Sequence, residues 1–211
     1  MIRAYKKLIT IGLFILGINT SAKALSLAAG GKIGTLGLGA DVTLKLMPRL
    51  NLRATGNWMD WSFDTTVDGV DFTLGADFAT YGAALDFHPF ANGFRVSGGL
   101  LFGNNSSKLD AHLSIVQKIG DHYYSASQIG NIHGEIGFSK NPAPFFGIGY
   151  GNAVAEDQSF TFLFELGVVM QSYDVTLTAD GDIASSEPFQ SDLNELENDV
   201  QSDMDDIKFY P

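Results

Sequence analysis

Seven charged or titratable side chains share one face of several segments in which apolar and other residues alternate. Neighbouring side chains of an extended strand point to opposite sides, so these residues face away from the apolar ones. An unpaired charge in a protein interior is costly, and acids and bases there are therefore expected to pair. A proton or ion path is the alternative interpretation of such a set. The residues are Asp41, Lys45, Arg53, Asp86, His88, Arg95 and Glu165.

A second group of reactive residues lies in the polar stretch from residue 104 to about 134. His112, His122 and His133 occur there or at its end, and three serines and one acid are close in sequence: Ser114, Ser125, Ser127 and Glu135. Serine, histidine and an acid form a nucleophilic triad when a fold brings them together, which would suit a lipid hydrolase. No spacing in the sequence indicates that they meet. We therefore predict that the protein is not an enzyme.

The glycine-rich segment "FGIGYGNA", residues 146–153, is similar to a phosphate-binding loop. It lacks the third glycine at the fingerprint spacing, and a strand rather than a helix follows it. Its glycines are better explained by close backbone packing or tight curvature. The absence of cysteine excludes a disulfide scaffold and thiolate metal chemistry. No cofactor is predicted.

The segment from residue 185 to residue 206 is strongly acidic. It contains eight acids and no base, and Leu193, Leu196, Val200 and Met204 follow each other at steps of three and four. This spacing predicts an acidic helix with one narrow apolar stripe. We expect a solvated helix packed on the rim of a larger structure. Divalent-cation binding beside lipopolysaccharide phosphates is the alternative, since hard oxygen ligands suit calcium and magnesium.

The elements that position these residues are strands. In "FTFLFELGVVMQS", residues 160–172, an apolar residue stands at every even position from Phe160 to Met170. This period of two continues for eleven residues, whereas most strands of soluble proteins stop after about five or six. A membrane-spanning strand needs about 9–11 residues. The apolar face would then meet lipid, and Glu165 would face a polar lumen.

The start of the chain favours the membrane. Residues 1–24 begin with three bases, continue through an uncharged apolar stretch and end in Ala22-Lys23-Ala24. This three-part pattern predicts a secretory signal peptide, with Leu25 as the first mature residue. Its removal leaves nine bases against 24 acids, a formal charge of −15. Nucleic acid is therefore excluded as a partner, because phosphate binding needs basic patches.

Alternating strands are predicted over 36–46, 50–63, 72–88, 94–104, 135–151 and 160–175, with a weaker first strand at 25–34. Short turns and long loops alternate between them, as in an outer-membrane barrel with short periplasmic turns and long extracellular loops. Aromatic residues near the strand ends predict the interfacial girdles of such a barrel. These residues are Trp58, Trp61, Phe63, Phe87, Phe90 and Phe94.

The leader, the sorted turns and above all "APFFGIGYGNAVAEDQSFTFLFELGV" resemble the small bacterial outer-membrane β-barrels, the group of the opacity proteins and the membrane domain of outer membrane protein A. The resemblance covers roughly residues 26–211. It implies an all-β, antiparallel, up-and-down transmembrane barrel of eight strands. Many members of that group serve as anchors or adhesins without catalysing a reaction. Their last strand usually ends on an aromatic residue that the barrel assembly machinery reads.

The sequence thus predicts one barrel domain over residues 25–211, with the acidic helical loop 185–206 on the extracellular side. We expect a monomer in the outer membrane of a Gram-negative cell. Outer-membrane lipid and lipopolysaccharide would surround it, and its role would be structural or surface-interacting without an open channel. A lipid-modifying enzyme and a carrier of small apolar molecules are the alternatives. Seven strands or fewer are complete, and the eighth would begin at "IKFYP", so we expect a truncated barrel with two open edges.

Overall fold

The computed structural model describes residues 15–22, 26–67, 70–90, 92–114, 116–155 and 159–211. Most of the predicted leader and its cleavage site between Ala24 and Leu25 lie outside the described residues. The strands are β1 Ile15–Ala22, β2 Leu27–Gly34, β3 Gly37–Met47, β4 Leu50–Val67, β5 Val70–Phe87, β6 Phe94–His112, β7 Gln117–Ile119, β8 His122–Tyr124, β9 Asn131–Phe138, β10 Ala143–Tyr150, β11 Phe160–Met170, β12 Tyr173–Ala179 and β13 Phe209–Tyr210. The helices are α1 Ala126–Ile129 and α2 Glu187–Asp205.

Eight strands pair in a closed antiparallel ring. The order around the ring is β1, β2, β3, β4, β5, β6, β10 and β11, and β11 pairs with β1 again. The chain is therefore an all-β up-and-down barrel, as the alternating sequence predicts. Closure removes the unpaired strand edges that lipid does not tolerate.

The strand that closes the ring differs from the prediction. Ile15–Ala22, predicted to belong to the leader, lies between β11 and β2, with Ile15 opposite Glu165 and Thr20 opposite Phe160. On the same side of β11, Phe209–Tyr210 pairs with Val169 and Met170. The expectation of two open edges is therefore wrong for this structure. A segment from the opposite end of the sequence supplies the pairing that the seven predicted strands lacked.

The two ends of the barrel differ. We call the end with the connections 113–142 and 171–208 the loop end, and the end with the connections 48–49, 88–93 and 151–159 the turn end. The predicted sorting of short and long connections is confirmed in part. The two longest connections lie at the loop end, but β2 and β3, and also β4 and β5, are each joined there across only two residues.

A sheet continues beyond the barrel at the loop end, and we call it the extension. It consists of β4 from Met59, β5 up to Phe78 and β6 from Asn105, together with β9 and β12. The extension forms because β6 changes partner, pairing with β10 up to Leu101 and with β9 from Ser106. Its strand order is β4, β5, β6, β9 and β12.

Two predicted strands are each divided in the structure. The segment 135–151 contains β9 and β10, separated by residues 139–142, and 160–175 contains β11 and part of β12, separated by Gln171 and Ser172. The predicted polar loop 104–134 is also wrong in part, because β6 continues to His112. These differences share one cause, since the sequence pattern does not show where the barrel stops and the extension begins.

Helix α2 confirms the helix predicted in the acidic segment. Pro188 lies in its first turn, and the predicted stripe residues Leu193 and Met204 are buried. The stripe packs against β12 and neighbouring residues, including Val175 and Leu177. Within the described ranges, no helix is both long and apolar enough to cross a membrane.

Candidate functional site

The interior of the barrel holds a network of charged side chains centred on Arg53. Its Nε and Nη2 atoms each lie 3.0 Å from a carboxylate oxygen of Asp86, so the two groups form a bidentate pair. Nη2 also lies 2.8 Å from Glu165 Oε2, and Nη1 lies 3.7 Å from Asp41 Oδ2. One guanidinium on β4 thus contacts carboxylates from three other strands.

Glu165 is fully buried, and its Oε2 atom accepts most of the other hydrogen bonds of the network. Arg95 donates to it from Nη2 at 2.9 Å and from Nε at 3.2 Å. Ser97 Oγ lies 2.7 Å from Asp86 Oδ1 and 3.1 Å from Glu165 Oε2, so it bridges two acids. The predicted pairing of acids and bases in the lumen is present at Arg53, Asp86, Arg95 and Glu165.

Lys32 belongs to the same network, although the sequence analysis did not include it. Its Nζ atom lies 2.8 Å from Asp41 Oδ1 and donates to Thr55 Oγ1. With Lys32 the network contains three bases and three acids, so its charges balance. The sequence held a signal for Lys32, because the apolar Ile33 beside it suits an outward position. Ile33 is exposed on the outer surface, and its neighbour Lys32 therefore lies on the inner one.

Two other predicted lumen residues lie closer to the turn end. Lys45 is half-buried near the turn end of β3. His88 is buried just beyond β5, where its ring contacts Asn51 Nδ2 at 3.3 Å and the carbonyl oxygen of Asn92 at 3.2 Å. His88 therefore connects the turn end to the lumen through neutral partners.

Apolar layers lie above and below the charged network. Towards the loop end a core cluster fills the barrel, with the members Leu36, Phe78, Leu101, Ala143, Phe145 and Val169. Towards the turn end a second cluster contains Ala28, Ala153, Val154 and Leu163. A cavity of about 30 Å³ remains beside Lys32, Arg53, Thr55 and Glu165. It has room for about one or two water molecules.

The glycines of "FGIGYGNA" leave room for lumen side chains. A Cβ atom at Gly149 would lie 3.1 Å from Arg95 Nε and 2.5 Å from the carbonyl oxygen of Phe164. At Gly147 a Cβ atom would lie 2.9 Å from the ring of Phe145. The interpretation of these glycines as sites of close packing is confirmed.

The outer surface of the barrel carries the apolar band predicted for lipid contact. Leu52, Leu85, Leu100, Phe146 and Ile148 are among its exposed members. Near the turn end the predicted girdle residues Phe87 and Phe90 are exposed, and the ring of Phe90 lies 5.8 Å from that of Phe94. At the other boundary Trp58 and Tyr81 are exposed, and Tyr81 stacks on Phe102 at 5.7 Å.

Trp61 and Phe63 lie on the opposite face of β4 from Trp58, and their assignment to the girdle is corrected here. The pairing of β4 with β5 continues without a bulge, so odd residues of β4 share the inner face with Arg53. From Met59 onward, apolar residues occupy that face, and Asp60 and Asp64 occupy the outer one. The alternation changes its sense beyond Trp58.

Among the described residues, the three histidines of the long connection contact two aspartates and an asparagine. His122 Nδ1 lies 2.8 Å from Asp192 Oδ2 on α2, and His133 Nδ1 lies 2.6 Å from Asp110 Oδ1. His112 Nδ1 lies 2.9 Å from Asn131 Oδ1. Ser125 Oγ donates to Gln128 Oε1 at 2.8 Å. These contacts join strands and a helix, and they do not assemble a nucleophile with a base.

The electrostatics of the extension follow from these contacts. The hydrogen bond that His133 donates to Asp110 raises the pKa of His133, and Asp180, whose Oδ2 lies 3.5 Å from His133 Nε2, adds to this rise. The hydrogen bond from Tyr124 lowers the pKa of Asp192, and the contact with His122 lowers it further. Burial, followed by the hydrogen bond to Asp192, raises the pKa of Tyr124 to about 12.

Helix α2 covers the outer edge of β12 with two side chains. Glu197 Oε2 accepts a hydrogen bond of 2.7 Å from the amide of Leu177, and Gln201 Oε1 accepts one of 2.8 Å from the amide of Val175. Gln201 Nε2 donates to the carbonyl oxygen of Tyr173 at 2.8 Å. In the part of the chain that the structure describes, no three histidine or acidic side chains are grouped to hold a metal ion.

The closed antiparallel ring, its apolar outer band and its filled polar interior define a transmembrane β-barrel. Two solved structures from Acinetobacter baumannii share this fold. CarO2 matches with a TM-score of 0.63 at 17% identity, over 93% of this chain and 93% of that chain. CarO matches with a TM-score of 0.60 at 17% identity, over 95% of this chain and 93% of that chain. No family model and no curated protein matches the sequence.

Proposed function

We propose that this protein is a monomeric outer-membrane barrel that does not conduct and that acts through the surface of its extension. The filled lumen carries the proposal. An apolar layer, a charge-balanced network and a second apolar layer follow one another along the barrel axis. Eight strands give a barrel only wide enough for side chains to fill it. The barrel would then serve as an anchor, and the exposed sheet of the extension would carry the contacts.

The expected location follows from the fold and from the sequence of the leader. Barrels are the only sheets that can span a bilayer, and outer-membrane barrels keep their long connections outside the cell. The loop end, with the extension and α2, would then face the exterior. Lipopolysaccharide would surround the apolar band, and the barrel assembly machinery would insert the chain. Divalent cations at α2 remain a prediction from its acidic composition.

Conductance is the direct test of the filled lumen. Purified protein in a planar bilayer should give no step conductance above that of the bare membrane. A matched variant replaces large side chains in all three layers by small ones, with the substitutions Arg53→Ser, Glu165→Ser, Phe145→Ala and Leu163→Ala. It should conduct, provided that its heat-modifiable mobility on a gel shows that it still folds. Regular steps from the native chain would contradict the proposal.

Orientation can be tested with single cysteines, because the native chain has none. A cysteine at Asp199, which is exposed on α2, should react with a membrane-impermeant maleimide on intact cells. A cysteine at Arg49, in a connection of the turn end, should react only after the outer membrane is opened. Labelling of Arg49→Cys alone on intact cells would show that the extension faces the periplasm.

A further inference from the structure

The extension has two edges, and only one of them is covered. At the β12 edge, Glu197 and Gln201 satisfy the amides of Leu177 and Val175. The match is geometric, because four helix residues rise about 6 Å and two strand residues span about 6.6 Å. Helix α2 thus takes the place of a neighbouring strand.

The opposite edge is that of β4, which has no strand partner beyond Trp58 within the described residues. The pairing of β4 with β3 ends where Trp58 lies opposite Leu38, whereas its pairing with β5 continues to Val67. All five residues from Asp60 to Asp64 are exposed. A row of unpaired amides and carbonyls of this kind is a template for another strand.

The pairing pattern identifies the groups on this edge. The amide of Ala79 points towards β6, where Asn105 Oδ1 accepts it at 3.0 Å. Alternate residues of an antiparallel strand turn to opposite neighbours, so Phe78 turns towards β4 and exchanges hydrogen bonds with Met59. The even residues of β4 therefore direct their backbone groups away from β5. Ser62 lies at the centre of this free edge.

The side chains that flank the edge define what an added strand would carry. Asp60 and Asp64 lie on the outer face and favour basic neighbours across the new pairing. Trp61 and Phe63 lie on the inner face, 56% and 49% exposed, with their rings stacked at 5.8 Å. They favour apolar neighbours. A second copy of this edge is unsuitable, because it would bring four aspartates onto one face.

We propose that the free edge of β4 binds an extended segment of a protein partner in which basic and apolar residues alternate. Backbone hydrogen bonds to the edge around Ser62 would supply affinity, and the two faces would select the sequence. This inference rests on the proposed surface role and names the class of partner for it.

The test uses peptides and the full chain purified in detergent. The probe is a labelled ten-residue peptide of alternating lysine and valine, and the control peptide alternates lysine and proline. Both have the same charge, but proline has no amide donor and disfavours pairing within a sheet. We expect the lysine–valine peptide to bind at least tenfold more tightly by fluorescence anisotropy, and an alternating glutamate–valine peptide to give no saturable binding.

Ser62→Pro is the decisive variant, because it removes an edge amide without changing charge, and proline is tolerated where a strand amide faces solvent. It should weaken binding of the lysine–valine peptide at least tenfold, whereas Ser62→Thr should bind like the native chain. Equal binding by native protein and Ser62→Pro, or equal binding of both lysine peptides, would overturn the inference. The conductance test is independent, so a conducting barrel that still binds the peptide would refute only the proposed lack of a channel.

Discussion

At the scale of single residues, the lumen network is the most constrained part of the molecule. Glu165 Oε2 receives contacts from Arg53, Arg95 and Ser97, while Glu165 Oε1 has no hydrogen-bond partner among the described residues. The cavity of about 30 Å³ borders this side chain. The acid therefore acts as an electrostatic centre for two bases rather than as an exposed reactive group.

Replacing Glu165 by glutamine keeps its shape and removes its charge. The three bases of the network then have only the carboxylates of Asp41 and Asp86, and Arg95 loses its ion pair. Breaking such a buried pair costs about 3 kcal/mol. We expect the urea unfolding midpoint in detergent to fall accordingly. Glu135→Gln is the matched control, because Glu135 is exposed on β9, and it should leave the midpoint unchanged. Identical midpoints for both variants would show that Glu165 is solvated.

His133 should make the stability of the extension depend on pH. Its pKa is raised above the usual value of 6.5 by Asp110 and Asp180, so the protonated form is favoured in the folded state. The stabilisation of the extension by protonated His133 is complete below about pH 6.5 and is lost as the pH rises through the raised pKa.

The measurement is amide hydrogen exchange in β9 and β12, corrected for the intrinsic effect of pH. We expect less protection at pH 8.5 than at pH 6, and no such difference in His133→Gln. His112→Gln is the control and should behave like the native chain, since the partner of His112 among the described residues is the uncharged side chain of Asn131. A pH effect that persists in His133→Gln would assign it to another group.

At the scale of elements, α2 is a cover for a strand edge. Replacing both Glu197 and Gln201 by alanine removes the acceptors of two β12 amides, at about 1 kcal/mol each. Hydrogen exchange at Val175 and Leu177 should quicken selectively. Asp199→Ala, on an exposed position of the same helix, is the control. Unchanged exchange in the double variant would mean that burial rather than hydrogen bonding protects this edge.

The sequence predicts elements well where one environment persists along a strand. In β11 the even residues remain outside and Thr161, Leu163 and Glu165 remain inside, so a period of two is sufficient. In β4 the apolar parity changes from even to odd beyond Trp58, although the pairing with β5 continues without a break. This change was the available signal that Trp61 and Phe63 do not belong to the girdle.

The candidate site was predictable in part for the same reason. Side-chain parity placed Arg53, Arg95 and Glu165 on the inner face, but it does not show which acid meets which base. Those partners come from strands far apart in sequence and depend on the register of the ring. The closing strand was also unpredictable, because β1 lies in a segment whose composition is that of a leader.

At the scale of the whole molecule, the outer band determines insertion. Phe164 lies on the outer face of β11, so Phe164→Arg should cost about 2–4 kcal/mol near the bilayer midplane. The folded fraction in membranes should fall, as measured by heat-modifiable gel mobility. Phe164→Leu should fold like the native chain, and Thr161→Arg, on the inner face, should impair insertion less. Equal insertion of Phe164→Arg and Phe164→Leu would show that this face does not meet lipid.

Ring closure and leader processing can be tested together. The predicted cleavage before Leu25 would remove β1, so a processed chain cannot keep the closed ring of eight strands. N-terminal sequencing of membrane-inserted protein decides between the two: Leu25 as the first residue would support the predicted leader, and an intact Met1 would support the ring. In unprocessed chain, cysteines at Ile18 and Phe162 should cross-link, because these residues are opposite each other and opposed Cα atoms in antiparallel strands are about 4.5–5.5 Å apart. Ile18→Cys with Leu166→Cys should not. If the cysteines at Ile18 and Phe162 did not cross-link in unprocessed chain, β1 would not be part of the ring.

The charge balance of the lumen has a consequence for how this protein can change over generations. Arg53 contacts Asp41, Asp86 and Glu165 at once, so a substitution that removes the charge at any of these four positions leaves the others with an uncompensated charge. These four positions are therefore not expected to change one at a time by neutral drift. Related barrels should exchange these residues in compensating sets, while the outer band varies freely among apolar side chains. The charged residues of the interior are therefore expected to change together.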